Sequence, residues 1–148
     1  MKELITGPAV VEFVARGVRC TGFQPGATGI GLIQGGQIIA GLVYENYNGR
    51  NIEMHIATDG SRQWMTRYFR WAAFDYPFNQ LGVERVTTVT ASSNIPALQL
   101  NDRLGFKTEA VLVGAHPDGD LIIKCMRRAD CRYIEEVKNE IRPLHAAA

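Results

Sequence analysis

A chain of 148 residues, 46% apolar and 21% charged, has enough apolar mass for one hydrophobic core and too little for two. Its formal net charge of +1 provides no whole-chain attraction to nucleic acid or to an acidic membrane, so neither is an expected partner. No apolar run approaches the ~20 residues that cross a bilayer, and the opening MKELITGPAVVEF lacks the long apolar centre and small-residue cleavage site of a signal peptide.

The chain opens on a helix signal. Pro8 suits a first helical turn, where its missing N–H is no loss, and Val10, Phe13, Val14 and Gly17 follow at helical spacing. A Gly/Pro-rich loop, Gly22 to Gly29, separates this helix from three strands. Thr28 to Gln34 and Gln37 to Tyr44 flank the hairpin dipeptide Gly35-Gly36; Asn48-Gly49 then leads to a strand from Asn51 to Ala57. With such short turns the three strands form an antiparallel meander.

From Arg62 to Tyr76 the period changes. Trp64, Met65, Tyr68, Phe69, Trp71, Ala72, Ala73, Phe74 and Tyr76 cover most of a helix circumference, which predicts a largely buried helix capped by Asp59 or Ser61 and ended by Pro77. The next strand is Glu84 to Thr90, rich in β-branched residues. Asn94 is an N-cap and Pro96 fits the first turn of the helix it opens, which Gly105 and Phe106 close as a C-cap. Lys107 to Val113 and Leu121 to Met126 flank the turn His116-Pro117-Asp118-Gly119, and a charged helix is expected from Cys131 to Arg142. The strand–helix–strand unit around the central helix should be parallel, so the fold class is α/β (α+β): a mixed, mostly antiparallel sheet with helices on both faces, in one domain over residues 1–148.

Cys20, Cys125 and Cys131 are odd in number and lack CxxC spacing, which reads as reduced thiols in a cytoplasmic protein rather than a disulfide framework or zinc site. His55, His116 and His145 form no ligand cluster in the sequence, so no metal is expected.

The stretch Ser93-Asn94-Ile95-Pro96-Ala97-Leu98-Gln99-Leu100-Asn101-Asp102-Arg103-Leu104-Gly105-Phe106 resembles a recurring motif of the GNAT (Gcn5-related N-acetyltransferase) superfamily. That motif places Asn, a small residue three on, and (Lys/Arg)-Leu-Gly-Phe at the helix end; Asn94, Ala97, Arg103, Leu104, Gly105 and Phe106 match it. Glu109-Ala110-Val111-Leu112 continues the likeness, which is nearest to the branch that modifies ribosomal-protein N-termini.

The resemblance implies acetyl-CoA as cofactor and Asn94, Asn101 and Arg103 among its contacts. The family's phosphate-binding loop aligns with Thr58-Asp59-Gly60-Ser61-Arg62-Gln63-Trp64-Met65-Thr66-Arg67. A helix start offers orphan N–H donors and a positive dipole end to an anion. By this resemblance Arg62, Gln63, Trp64, Thr66 and Arg67 are the expected pyrophosphate cradle, with Thr58 and Met65 also among the cofactor contacts. Ser61 and Gln63 depart from the family, standing where glycines let the backbone approach, and Arg62 and Arg67 are expected to pair with phosphates instead.

The family's cofactor strand splays from its neighbour to admit the acyl chain, and it aligns with Asn51 to Ala57. Backbone N–H near Ile56 or Ala57 would polarise the thioester carbonyl. Glu53 and His55 share one face of this strand, alternating with Ile52, Met54 and Ile56. By resemblance Glu53 is the first candidate base; His55 is the second, because imidazole ordinarily titrates near neutrality. Asn101 occupies the place of a tyrosine that protonates the departing thiolate in many members, and its amide is the donor expected to stabilise that thiolate. Tyr44 and Tyr47 are alternative acids, and Cys125 reads as a buried thiol rather than a nucleophile.

These residues predict an N-acetyltransferase acting by direct attack of a primary amine, in a peptide or small molecule, on acetyl-CoA in a ternary complex. A catalytically degenerate GNAT-fold module that binds protein or nucleic acid is the second reading. The C-terminal helix leaves a homodimer open.

Overall fold

The computed structural model describes residues 1–134 and a two-residue strand at 145–146. The elements run β1 (Lys2–Thr6), α1 (Pro8–Gly17), β2 (Thr28–Gln34), β3 (Gln37–Glu45), β4 (Asn51–Thr58), α2 (Arg67–Asp75), β5 (Arg85–Ala91), α3 (Ile95–Leu104), β6 (Lys107–His116), β7 (Gly119–Arg127) and β8 (His145–Ala146). They build one mixed sheet in the order β6-β7-β5-β4-β3-β2-β1-β8. Pairings within β1 to β4 and among β5, β6 and β7 are antiparallel; β4–β5 and β1–β8 are parallel. Among the described residues no helix is long and apolar enough to cross a membrane.

Strand alternation divides the core between the two faces. On one face Val10 and Val14 of α1, both fully buried, meet Ile5, Val43 and Ala57. The helix seats directly on backbone. A Cβ at Gly41 would lie 2.8 Å from Val14 Cγ2, and one at Gly31 would lie 2.8 Å from Val10 Cγ2. The other face carries the main core, where Leu42, Tyr44, Ile52 and Met54 pack under Phe69, Trp71 and Phe74 of α2 and Leu104 of α3.

The predicted elements from Pro8 to Gln37 match the structure, including the Gly35-Gly36 turn, whose φ values are +59° and +77°. Two points of the sequence reading are corrected. The strand Lys2–Thr6 is absent from the sequence reading. Helix α2 begins at Arg67, not Arg62, because Asp59 and Ser61 bond to each other, and Thr66 Oγ1 accepts from Phe69 N at 3.0 Å as the true cap.

The α-helix stops at Asp75, just before Pro77 as expected, but the chain stays helical beyond it. Pro77 cannot supply the N–H that Ala73 O would accept four residues back. The buried Tyr44 hydroxyl donates to Ala73 O instead, at 2.5 Å, and the chain widens into a π turn over Tyr76–Gln80 in which Leu81 N donates to Tyr76 O. Finally, the Cys131 to Arg142 helix lies mostly outside the described residues; 131–134 are not helical.

Candidate active site

The sheet opens between β4 and β5. Their parallel pairing covers Asn51↔Arg85, Ile52↔Val86 and Glu53↔Thr87 and then stops, although β4 runs on to Thr58 and β5 to Ala91. Backbone groups of β4 that point toward β5 beyond Glu53, around Ile56 and Ala57, therefore have no ladder partner there. A cleft of about 290 Å³ fills the opening.

The cleft has two chemically different sides, which follow from strand alternation. Toward α1 lie His55 and Glu45 with Phe23 and Cys20; toward α3 lie Met54, Ile56, Thr88 and Thr90 with Asn94, Ala97 and Asn101. The first side is anionic and titratable. His55 Nε2 stands 2.5 Å from Glu45 Oε2, an ion-pair distance without hydrogen-bond alignment. Gln24 N donates to the other Glu45 oxygen at 3.0 Å, and the His55 ring lies 5.0 Å from that of Phe23. Glu53 faces Glu45 across the β3–β4 ladder and accepts from Asn46 Nδ2 at 3.2 Å. The ligand atoms of Glu45, Glu53 and His55 all fall within 4.8 Å of one another.

The second side is neutral. Asn101, 3% exposed, donates through Nδ2 to Thr88 Oγ1 at 3.2 Å and to Thr90 Oγ1 at 3.4 Å. Its amide hydrogens are thus committed to threonines rather than offered to a thiolate. Asn94 caps α3, its Oδ1 accepting from Ala97 N at 3.3 Å, and stands exposed at the cleft.

The expected phosphate loop is differently built. Thr58 Oγ1 accepts from Gly60 N at 3.2 Å, and Asp59 Oδ1 accepts from Ser61 N at 2.9 Å and Ser61 Oγ at 2.6 Å, bonds that hold the Asp59 carboxyl below its ordinary range. Gln63 N, Met65 N and Thr66 N donate to Ser61 Oγ, Arg62 O and Trp64 O. These backbone donors are therefore spent inside the loop. Trp64 is 7% exposed and packs edge-on to Phe69, and Met65 lies against the same core, so both side chains serve the core. Arg62, Gln63 and Arg67 are exposed. Arg103 is exposed in the last turn of α3, nine residues beyond Asn94 or ~13 Å along the axis, and does not line the cleft.

Neither alternative acid serves. Tyr44 is spent on Ala73 and burial drives its ionisation well up; Tyr47, half exposed, points its hydroxyl at Leu81 O, 3.4 Å away. Cys125 is buried and its thiol is pushed up by that burial, as expected of a non-nucleophile.

Sequence reasoning missed Glu45, Thr88, Thr90 and His116, all of which line the cleft. The reason for Glu45 is a register. A two-residue Asn48-Gly49 turn would set Glu45 opposite Ile52. The actual loop spans 46–50, with Asn46 at φ +59° and Asn48 Oδ1 accepting from Arg50 N and Asn51 N, and it sets Glu45 opposite Glu53.

No protein-family model and no curated protein matches the sequence. Solved structures do. A spermidine N-acetyltransferase SpeG variant from Vibrio cholerae aligns with a TM-score of 0.67 at 15% identity over 86% of this chain and 94% of that one. An acetyltransferase (GNAT family) from Bacillus anthracis aligns at 0.57 and 14% over 67% of this chain and 65% of that one. Campylobacter jejuni N-acetyltransferase PseH, solved in complex with acetyl coenzyme A, aligns at 0.56 and 16% over 71% and 70%. At these identities the likeness is one of fold: the chain has the mixed-sheet α/β fold of GNAT acetyltransferases.

Proposed function

We propose that the protein is an acetyl-CoA-dependent N-acetyltransferase that moves an acetyl group to a primary amine by direct attack in a ternary complex. The observation that carries this reading is the opening between β4 and β5, lined by a histidine–carboxylate cluster on one side and by hydroxyl and amide groups on the other. Acetyl-CoA supplies an activated thioester.

The chain's own groups suit its two ends differently. Asn94, Ala97 and Ile56 would line the thioester arm, while Arg62 and Arg67 would meet the phosphates as guanidinium groups, since the loop N–H donors are largely spent. Arg103, on the outward face of α3, would reach only a peripheral part of the cofactor. Unpartnered backbone N–H near Ile56 and Ala57 would meet the carbonyl oxygen.

On the α1 side the acceptor arrives as an ammonium ion, drawn by Glu45 and Glu53. It must lose a proton to attack. His55 lines the cleft and takes that proton, with the Glu45 carboxylate 2.5 Å away balancing the charge it gains; Glu53 completes the anionic pocket and is the second candidate base. Two carboxylates favour a cationic alkylamine, the class that names the SpeG neighbours. A peptide N-terminus, suggested by the resemblance of residues 93–112 to the ribosomal-protein branch, is the next acceptor to try.

Calorimetric titration with acetyl-CoA tests the reading. Micromolar binding, weakened several-fold by Arg62→Ala, followed by turnover with a polyamine, is the expected result. No binding would overturn it in favour of a GNAT-fold binding module, and a steep salt dependence toward DNA would then identify a nucleic-acid partner.

A further inference from the structure

Resting on the acetyl-transfer reading, we infer that the Thr88 and Thr90 hydroxyls, aligned by Asn101, receive the departing sulfur as a thiolate. The two threonines stand two residues apart on one face of β5, immediately beyond Thr87, where pairing with β4 ends, and both line the cleft. A hydroxyl has one donor and two acceptor sites. Each accepts from Asn101 Nδ2, at 3.2 and 3.4 Å, which leaves each O–H to donate. Neither hydroxyl has an acceptor among the described residues, in contrast to Thr87, whose Oγ1 donates to Asn51 Oδ1 at 2.5 Å. Two unspent donors thus converge on a cleft whose opposite side holds the base.

Their orientation is fixed in advance. Threonine is stiff at χ1, and the buried amide of Asn101 ties both hydroxyls to α3, so little reorganisation is needed when charge develops. The step balances as follows. The amine nitrogen lone pair forms the N–C bond; the C–S bond breaks and its electron pair goes to sulfur; the amine proton goes to the base on the α1 side. A threonine hydroxyl is too weak an acid to protonate sulfur, so the thiolate leaves hydrogen-bonded by two O–H groups and takes its proton from water after release. Asn101 is a positioning residue, acting through the threonines.

The test is a pH titration of the CoA thiol bound to the full chain, followed by thiolate ultraviolet absorbance. In the wild type the ionisation constant of the bound thiol should exceed that of free CoA by about tenfold, one pH unit. Thr88→Val and Thr90→Val should each return it toward the free value and lower kcat by about 10- to 100-fold at unchanged acetyl-CoA affinity, with Thr→Ser at either position restoring both. Asn101→Leu should act like the valine variants. A bound thiol that titrates as free CoA does would overturn the inference while leaving the acetyl-transfer reading intact, and this wild-type measurement decides even where a variant fails to fold. Failure of CoA to bind at all would remove the acetyl-transfer reading and this inference together.

Discussion

His55 and Glu45 sit 2.5 Å apart at the α1 side of the opening, and this pair concentrates what individual side chains contribute to the proposed chemistry. His55→Gln should lower kcat by about 10²- to 10⁴-fold with acetyl-CoA affinity unchanged, in steady-state kinetics paired with calorimetry. Equal loss in His55→Gln and Glu53→Gln would show a shared proton path; loss in Glu53→Gln alone would return the base to the carboxylate. Asp59 lies in the loop proposed to meet the other end of the cofactor. Its carboxylate occupies Ser61 N and Oγ in the loop proposed to bind phosphate and would place a negative charge beside the bound anion. Asp59→Asn should therefore tighten acetyl-CoA binding by about two- to fivefold, more at low salt than at high salt, in calorimetric titrations at two ionic strengths.

Among the elements, α2 and α1 depend on partners far away in sequence. Pro77 leaves Ala73 O without its helical donor, and Tyr44, 29 positions earlier than Ala73, supplies one at 2.5 Å from the C-terminal end of β3. Tyr44→Phe should orphan a buried carbonyl and cost about 1–3 kcal/mol in chemical denaturation, without altering acetyl-CoA affinity. Helix α1 can approach the sheet because Gly31 and Gly41 lack side chains where Val10 and Val14 press closest. Gly41→Val would push Val14 away at a cost of about 1–3 kcal/mol. It should also weaken acceptor binding, because the residues after α1, Val18 and Cys20, line the cleft.

Across the whole molecule, the β4–β5 opening separates the β6-β7-β5 part of the sheet from the β4-β3-β2-β1-β8 part, and three residue pairs at its closed end join the two strands. Arg85 sits at that end and binds both oxygens of Glu109, at 2.7 and 3.0 Å, while its Nε donates to Asn51 Oδ1 on β4 at 3.1 Å. The Arg85 guanidinium holds the Glu109 carboxyl below its ordinary range. A depressed carboxyl contributes stability above its unfolded-state pKa and loses it as pH falls through the folded one. Glu109→Gln should thus lower stability slightly at pH 7, by well under about 1 kcal/mol for so exposed a pair, and the difference in Tm from wild type should vanish in acid. If residues 1–148 form the single domain proposed, the two parts unfold in one calorimetric transition.

Much of this architecture was legible in local chemistry. The Gly35-Gly36 hairpin, the Asn94 cap, the Gly105 terminus at φ +108° and the face shared by Glu53 and His55 each depend on neighbours a few residues away, and sequence alone determined them. The cap of α2 and the β3–β4 register were decided by competition. Asp59 and Ser61 are good caps by residue type but bond to each other; Asn48-Gly49 is a good tight turn but sits inside a longer loop. The site itself belongs to tertiary structure. Thr88, Thr90 and Asn101 lie 11 and 13 positions apart, and Glu45 meets His55 across a hairpin, so their chemistry arises only once α3 packs on β5 and β3 finds its register against β4. Local sequence sets which conformations are cheap, but the two sides of the cleft are contacts between distant segments, and packing alone brings those together.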